Sequence, residues 1–311
     1  MIVPRYYEDL SVLHENTMPP RAYYMPTSKR MDDLTEHREK SDRLQLLNGN
    51  WKFHYFESIY DVKESFYETD YDVSDFDEMR VPGIWQMEGY DMHQYTNIRY
   101  PFPFDPPYVP QDIPCGAYVH TFFYQSEKTA PKAYLNFEGV DSCFYVWLNG
   151  KYVGYSQISH AVSEFDVTSF LKDGENSIAV LVLKWCDGSY LECQDMFRMS
   201  GIFRDVYLYN VPKVSVRDHY ITCLLDKDKN YKSGTMNVKL SLDNRDKLKG
   251  TKNLLVRLLD PEGRKVAESE VAVKYAPSSP VSTANVSFDL TDLSLWTAET
   301  PTLYTVQVIQ R

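Results

Sequence analysis

Residues 184–209 read KWCDGSYLECQDMFRMSGIFRDVYLY, and this stretch decides the fold. It opens on the tail of residues 177–185, SIAVLVLKW, which is nearly continuously apolar, as a strand covered on both faces would be. Asp187-Gly188 is a turn dipeptide that breaks that strand. Residues 189–201 mix Glu192, Asp195 and Arg198 with methionines and aromatics and have no period of two. Residues 202–209 alternate again, with Phe203, Val206 and Leu208 among polar partners. A charge-bearing loop or short helix is therefore clamped between two core strands, and rigid scaffolds present binding groups on such loops. The plain structural reading is a corner in which Arg198 satisfies Asp195.

Working upstream, residues 143–148 read as a strand joined to KYVGY by Asn149-Gly150, a two-residue hairpin turn that needs positive φ twice. Residues 116–124, 133–138 and 165–171 read as further strands, and residues 51–56 alternate after the turn Asn48-Gly49. Residues 58–67 read as a short helix. Five prolines between positions 101 and 110 exclude a central strand there and fix an extended path. Residues 1–40 are polar and proline-punctuated and read as an extended arm on the first domain. Many short strands with almost no long helix predict an all-β chain whose residues 41–210 form a jelly-roll sandwich.

Downstream, Asn210-Val-Pro-Lys213 marks a boundary. Residues 213–225, 235–242, 254–259, 265–273 and 284–290 then alternate as strands about every ten residues, with the turn Asp260-Pro-Glu-Gly263 among them. This pattern predicts an immunoglobulin-like sandwich over residues 211–311. Its last strand, residues 304–311, reads as truncated.

With 311 residues the chain is long enough for two full cores. Aromatics make up 14% of it, including 25 Tyr, which suits sandwich cores and also sugar rings. A net charge of −11 argues against nucleic acid or an anionic membrane as partner. No run approaches the ~18 apolar residues of a spanning helix. The first residues contain no apolar core of a signal peptide. Cys115, Cys143, Cys186, Cys193 and Cys223 are odd in number and lack any CxxC pair, which predicts reduced thiols rather than a disulfide framework or zinc site. The expected compartment is the cytoplasm, or the periplasm if a signal segment has been removed. No dinucleotide, phosphate-loop, nucleophile-elbow or metalloprotease motif occurs. The seven histidines are dispersed, and His93, although near Asn97, reads as structural.

Residues 187–206 (DGSYLECQDMFRMSGIFRDV) resemble the corresponding segment of the β-galactosidases of glycoside hydrolase family 2. Residues 46–53 (LLNGNWKF), 81–90 (VPGIWQMEGY), 95–110 (YTNIRYPFPFDPPYVP), 146–154 and 164–176 are similar to that family in the same order, and residues 295–304 (LWTAETPTLY) resemble the close of its second domain. The resemblance implies a galactose-binding-like jelly roll followed by an immunoglobulin-like sandwich. It implies the N-terminal, non-catalytic part of a retaining enzyme that hydrolyses terminal β-D-galactosides such as lactose. The catalytic pair of such enzymes, two carboxyl groups roughly 5–5.5 Å apart, lies on a TIM barrel in this family, and the acid/base follows an asparagine. This sequence has no Asn-Glu dipeptide and no barrel pattern, so the expectation is no catalytic residue here and no activity alone.

By the same resemblance, Asn97 and Asp195 would reach into the active site, Asn97 on the sugar and Asp195 on sugar hydroxyls and a sodium ion. A carboxylate and an amide have the chemistry for it. A magnesium site would use Gln157 and Asp187, with Asp9 from the arm. Asp187 reads equally well as an ordinary Asp-Gly turn. The implied partners are a galactoside, the missing barrel of the same chain and further copies in a homo-oligomer. The alternatives are a stand-alone carbohydrate-binding module, or the same portion of a β-glucuronidase or β-mannosidase.

Overall fold

The computed structural model describes residues 2–31, 34, 36–192 and 195–311. The chain divides into two compact units, Met1–Pro20 with Met25–Asn210, and Arg21–Tyr24 with Val211–Arg311. Among the described residues both are built of strands, and the helices are short 3-10 turns, so the all-β sandwich expectation holds.

The first unit begins with β1 (His14–Glu15), β2 (Leu44–Leu46), β3 (Gly49–Phe56), β4 (Asp77–Val81) and β5 (Gln94–Tyr95). Next come β6 (Cys115–Tyr124), β7 (Lys132–Phe137), β8 (Val140–Asp141), β9 (Cys143–Leu148) and β10 (Lys151–Gln157). The unit ends with β11 (Ser163–Asp166), β12 (Gly174–Leu183), β13 (Phe197–Arg198), β14 (Gly201–Ile202) and β15 (Val206–Val211). A seven-stranded sheet has the order β1-β10-β9-β12-β6-β3-β4, and a four-stranded sheet the order β11-β7-β15-β2.

The apolar run before Trp185 is β12, the middle strand of the large sheet. It pairs antiparallel with β6 from Gly174 to Leu183 and with β9 from Ile178 to Leu183. Successive side chains point to opposite faces of a sheet. Ile178, Val180 and Val182 therefore enter the core between the sheets, with Trp51 and Phe144. Ala179, Leu181 and Leu183 enter a second core with Tyr145, Trp147 and Tyr155. A strand with a core on each face has no polar side to alternate with.

The second core is closed by irregular chain: Val3 and Tyr7 of the N-terminal segment, Ile59, Val62 and Phe66, and Val109 and Ile113. The helix expected over residues 58–67 is only a 3-10 turn at Ile59–Asp61. The Ile59 N–H is bonded to the Ile113 carbonyl (2.8 Å), and the spacing of Ile59, Val62 and Phe66 serves a lid on the sheet instead of a helix face. The β9–β10 turn has φ of 52° at Asn149 and 76° at Gly150, both left-handed, as a two-residue hairpin of this kind requires. Cys115, Cys143 and Cys186 are buried free thiols and Cys223 is an exposed one. Cys193 lies outside the described residues.

The second unit carries β16 (Ser215–Leu225), β17 (Gly234–Asp243), β18 (Gly250–Leu259), β19 (Lys265–Tyr275), β20 (Val281–Leu290) and β21 (Thr305–Gln310). They form two three-stranded sheets, β16-β17-β20 and β19-β18-β21. Alternation in β17 and β20 turns Val238, Leu240, Val286 and Phe288 into a core shared with Leu254, Val256 and Leu258 of β18. The turn between β18 and β19 closes through Gly263 N–H to Asp260 O (2.9 Å), with Gly263 at φ 76°.

Candidate functional site

The connection from β12 to β15 begins at a fixed corner. The Lys184 N–H donates to the Pro114 carbonyl (2.9 Å). Cys186 is extended and caps the 3-10 helix Asp187–Tyr190, its N–H donating to Ser189 Oγ (3.1 Å) while the Ser189 N–H returns to the Cys186 carbonyl (2.8 Å). This cap turns Asp187 inward, where it is 5% exposed. Its Oδ1 accepts the Gly188 N–H (2.8 Å), and its Oδ2 is buried with no hydrogen-bond partner. Burial pushes the Asp187 carboxyl above its ordinary pKa; the neighbouring Gln157 amide and the Gly188 N–H pull it back, and the negative charge of Asp9 pushes it up again.

Three of the residues singled out in the sequence therefore meet here. Gln157, at the end of β10, is buried and accepts the Tyr155 hydroxyl on Oε1 (2.8 Å). Asp9 is exposed, and its Oδ1 accepts the Ser11 N–H (3.0 Å) and Oγ (2.6 Å), which lower its pKa. Among the described residues no cluster of three or more His, Cys, Asp or Glu side chains stands ready for a metal. The donors at this corner are two carboxylates and an amide. An orphaned buried carboxylate oxygen is costly unless it is paired, and hard cations take such oxygens. The corner fits a hard divalent cation on that ground.

Beyond Tyr190 the chain reaches the second candidate. β13 pairs antiparallel with β5, Phe197 opposite Tyr95 and Arg198 opposite Gln94. The Tyr95 hydroxyl donates to Asp195 Oδ1 (2.5 Å) across this ribbon. Asp195 has φ 53°, a left-handed conformation that Asp tolerates better than most residues. Asn97 follows Tyr95 by two positions, and both Asn97 and Asp195 are exposed. The ribbon thus gathers the two sugar-facing candidates from segments about a hundred positions apart. The His93 ring stands edge-on to Phe197 (5.1 Å between centroids).

Arg198 does not anchor Asp195. Its Nη2 donates to the Ser189 carbonyl (3.0 Å), and its guanidinium lies 5.7 Å from the Trp185 ring centre. The carboxylate is held by a tyrosine instead, leaving its other oxygen for a ligand. Around the ribbon, Met92, Ile98 and Leu191 are each more than 80% exposed, and Phe104 and Phe197 more than half. The sequence reasoning also missed Tyr190. Its hydroxyl donates to the Tyr108 carbonyl (2.5 Å), and its ring packs edge-on against Phe102 and Phe104. It fixes the proline-rich segment, and only the density of aromatics in both stretches hinted at it.

Comparison with known proteins places these features in context. The family described as glycosyl hydrolases family 2, sugar binding domain, matches residues 44–212, and glycosyl hydrolases family 2 matches residues 214–310. A β-galactosidase of Actinobacillus pleuropneumoniae is 41% identical over 306 residues, covering 98% of this chain and 28% of that protein. A β-galactosidase of Staphylococcus xylosus is 41% identical over 310 residues, covering 99% of this chain and 29% of that protein. The chain thus spans less than a third of the curated relatives it matches. Among solved structures, a Bacteroides uniformis β-glucuronidase superposes with a TM-score of 0.68 at 20% identity, over 86% of this chain and 30% of that one. A family 2 member from Bacteroides cellulosilyticus gives 0.67 at 21% identity, over 86% of this chain and 34% of that one. At such identities these structures speak for the fold alone.

Proposed function

Because this chain belongs to glycosyl hydrolases family 2, we propose that it is the N-terminal, non-catalytic portion of a retaining β-galactosidase. In this reading residues 1–40 are an arm, residues 41–210 a sugar-binding jelly roll and residues 211–311 an immunoglobulin-like domain. The reacting carboxylates belong to a TIM-barrel domain of the same protein. The observation that carries the reading is the ribbon of β5 and β13. It offers Asp195 and Asn97 to the outside among exposed apolar side chains, as one wall of a pocket whose other walls lie elsewhere. The 41% identity to proteins named β-galactosidase supports a galactoside rather than a glucuronide or mannoside substrate. The working protein is proposed to be a cytoplasmic homo-oligomer.

The roles follow from the chemistry. Asn97 donates and accepts hydrogen bonds with sugar hydroxyls. Asp195, with Oδ1 taken by Tyr95, offers its second oxygen to a hydroxyl or to sodium. A single exposed carboxylate does not hold sodium unaided, so the remaining ligands would come from the substrate and the barrel. Asp187, Gln157 and Asp9 would hold magnesium, which would bind the N-terminal segment to the sheet.

The test is Asp195→Asn in the full-length protein, which keeps the shape and removes the charge. A charge-assisted contact of about 1.5–3 kcal/mol corresponds to a loss in kcat/KM of roughly ten- to a few-hundredfold. Sodium activation should fall with it and the melting temperature should hold. A destabilised variant with full activity and an intact sodium response would end the reading. The isolated chain should turn over no chromogenic galactoside.

A further inference from the structure

Both sugar-facing candidates are exposed, yet a ligand contact needs them at a fixed height above the sheet. What sets that height lies at the base of the ribbon. Lys184, at the end of the central strand, is 6% exposed and pairs with Asp91 Oδ2 (2.6 Å). The same oxygen accepts Gln86 Nε2 (3.1 Å). The Gln86 amide also grips the other arm of the ribbon: its Oε1 accepts the Ser200 N–H (2.9 Å) and its Nε2 reaches Ser200 Oγ (3.3 Å). Two main-chain bonds run alongside, Trp85 N–H to Ser200 O and Gly83 N–H to Ile202 O, both 2.9 Å. Close approach is obligatory here. A side chain on Gly201, at φ 120°, would meet the Gly83 carbonyl at 3.0 Å and the Trp85 ring at 3.2 Å.

Resting on the reading in the preceding subsection, we propose that Gln86, Asp91 and Lys184 are positioning residues for the sugar-facing pair. The relay Lys184–Asp91–Gln86–Ser200 ties residues 91–97 and residues 197–200, the two arms that carry Asn97 and follow Asp195, to the end of β12. One anchor on the stiffest strand then fixes both arms together. Buried polar chains of this kind specify geometry more than they add stability, since a buried ion pair is often replaceable by apolar residues with little loss of stability. A merely structural relay would act on melting temperature; a positioning relay acts on catalysis through Asp195.

The experiment is a double-mutant cycle in the full-length protein, reading kcat/KM on a chromogenic galactoside. Gln86→Met removes the amide and keeps the bulk. Lys184→Met with Asp91→Leu removes both charges together, so no unpaired ion is left to unfold the protein. Each is expected to lower kcat/KM by about tenfold, since misplacements of an ångström are worth up to about a hundredfold. In a background carrying Asp195→Asn and Asn97→Ala together, the same changes should cost less than about twofold. Lys184→Arg alone, with Asp91 in place, should retain most of the activity. Equal losses in both backgrounds, or no loss in either, overturn the positioning role while Asp195 keeps its own. An Asp195→Asn variant with undiminished kcat/KM overturns the reading beneath it, and the positioning role falls with that.

Discussion

Asp187 and Asp195 stand eight positions apart on one connection and live in opposite conditions. Asp187 is folded into the protein with an oxygen that nothing satisfies. Asp195 is exposed and steadied by a tyrosine from another strand. The buried carboxylate carries an internal desolvation cost. The exposed one keeps its charge in water without that cost. A single loop can hold both because the 3-10 helix Asp187–Tyr190 turns the first inward, and the left-handed residue at 195 sends the chain back along the ribbon.

The sharpest way to break this contrast is a third carboxylate below the same connection. Asp141 of β8 faces Glu192 and Arg198 and accepts Ser142 Oγ (2.8 Å). Burial first, then the charge of Glu192, push it from 3.8 up to about 7, against the pull of Ser142 and Arg198. The folded chain therefore keeps a proton that the unfolded chain has released between about pH 4 and 7. Its stability contribution is complete below that window and lost as pH rises through it. Asp141→Asn should match the parent at pH 4 and exceed it at pH 8, by about 4 kcal/mol at 1.36 kcal/mol per pKa unit. Denaturant melts at the two pH values check this, and a pH-independent difference would contradict it.

A smaller effect separates the cation corner from the ribbon. Asp187→Asn should stabilise the chain in chelator at pH 8, because it removes a buried charge whose pKa is raised. With magnesium the order should reverse: the parent gains about 2.7 kcal/mol at a hundred times Kd and the variant gains nothing. Melting curves that never cross would remove the cation from the corner. The smallest effect belongs to Tyr95→Phe, which deletes one hydrogen bond to Asp195. About 0.5–1.5 kcal/mol predicts a two- to tenfold fall in kcat/KM of the full-length protein with little change in melting temperature. Kinetics and a melt on one sample decide it, and a fall in stability alone would make Tyr95 a structural residue.

Much of this fold could be read from local signals. Asn149-Gly150 states its own turn, and the unbroken apolar run of β12 announces a strand with cores on both faces. The helix expected at residues 58–67 failed because apolar spacing records only which side chains are buried. There the main-chain partner is Ile113, more than fifty positions away. The pairing of Arg198 with Asp195 failed for a related reason. Residues three apart share a face in a helix, but in extended chain they point to opposite sides. The true partner, Tyr95, lies one hundred positions upstream, and no local pattern could have named it. Asp187 was legible as a turn, but its orphaned oxygen was not, because burial belongs to the folded chain.

β12 has one more consequence, for the timing of order. It is hydrogen-bonded on both edges along Ile178–Leu183, so its amides should be among the last to exchange with solvent. Four residues later the chain reaches Asp187. If the corner is as ordered as the strand that carries it, a cation binding there would remove little conformational freedom. Such a site should fill with a modest entropic penalty, and it should empty only as fast as the sheet edge around Leu183 can open.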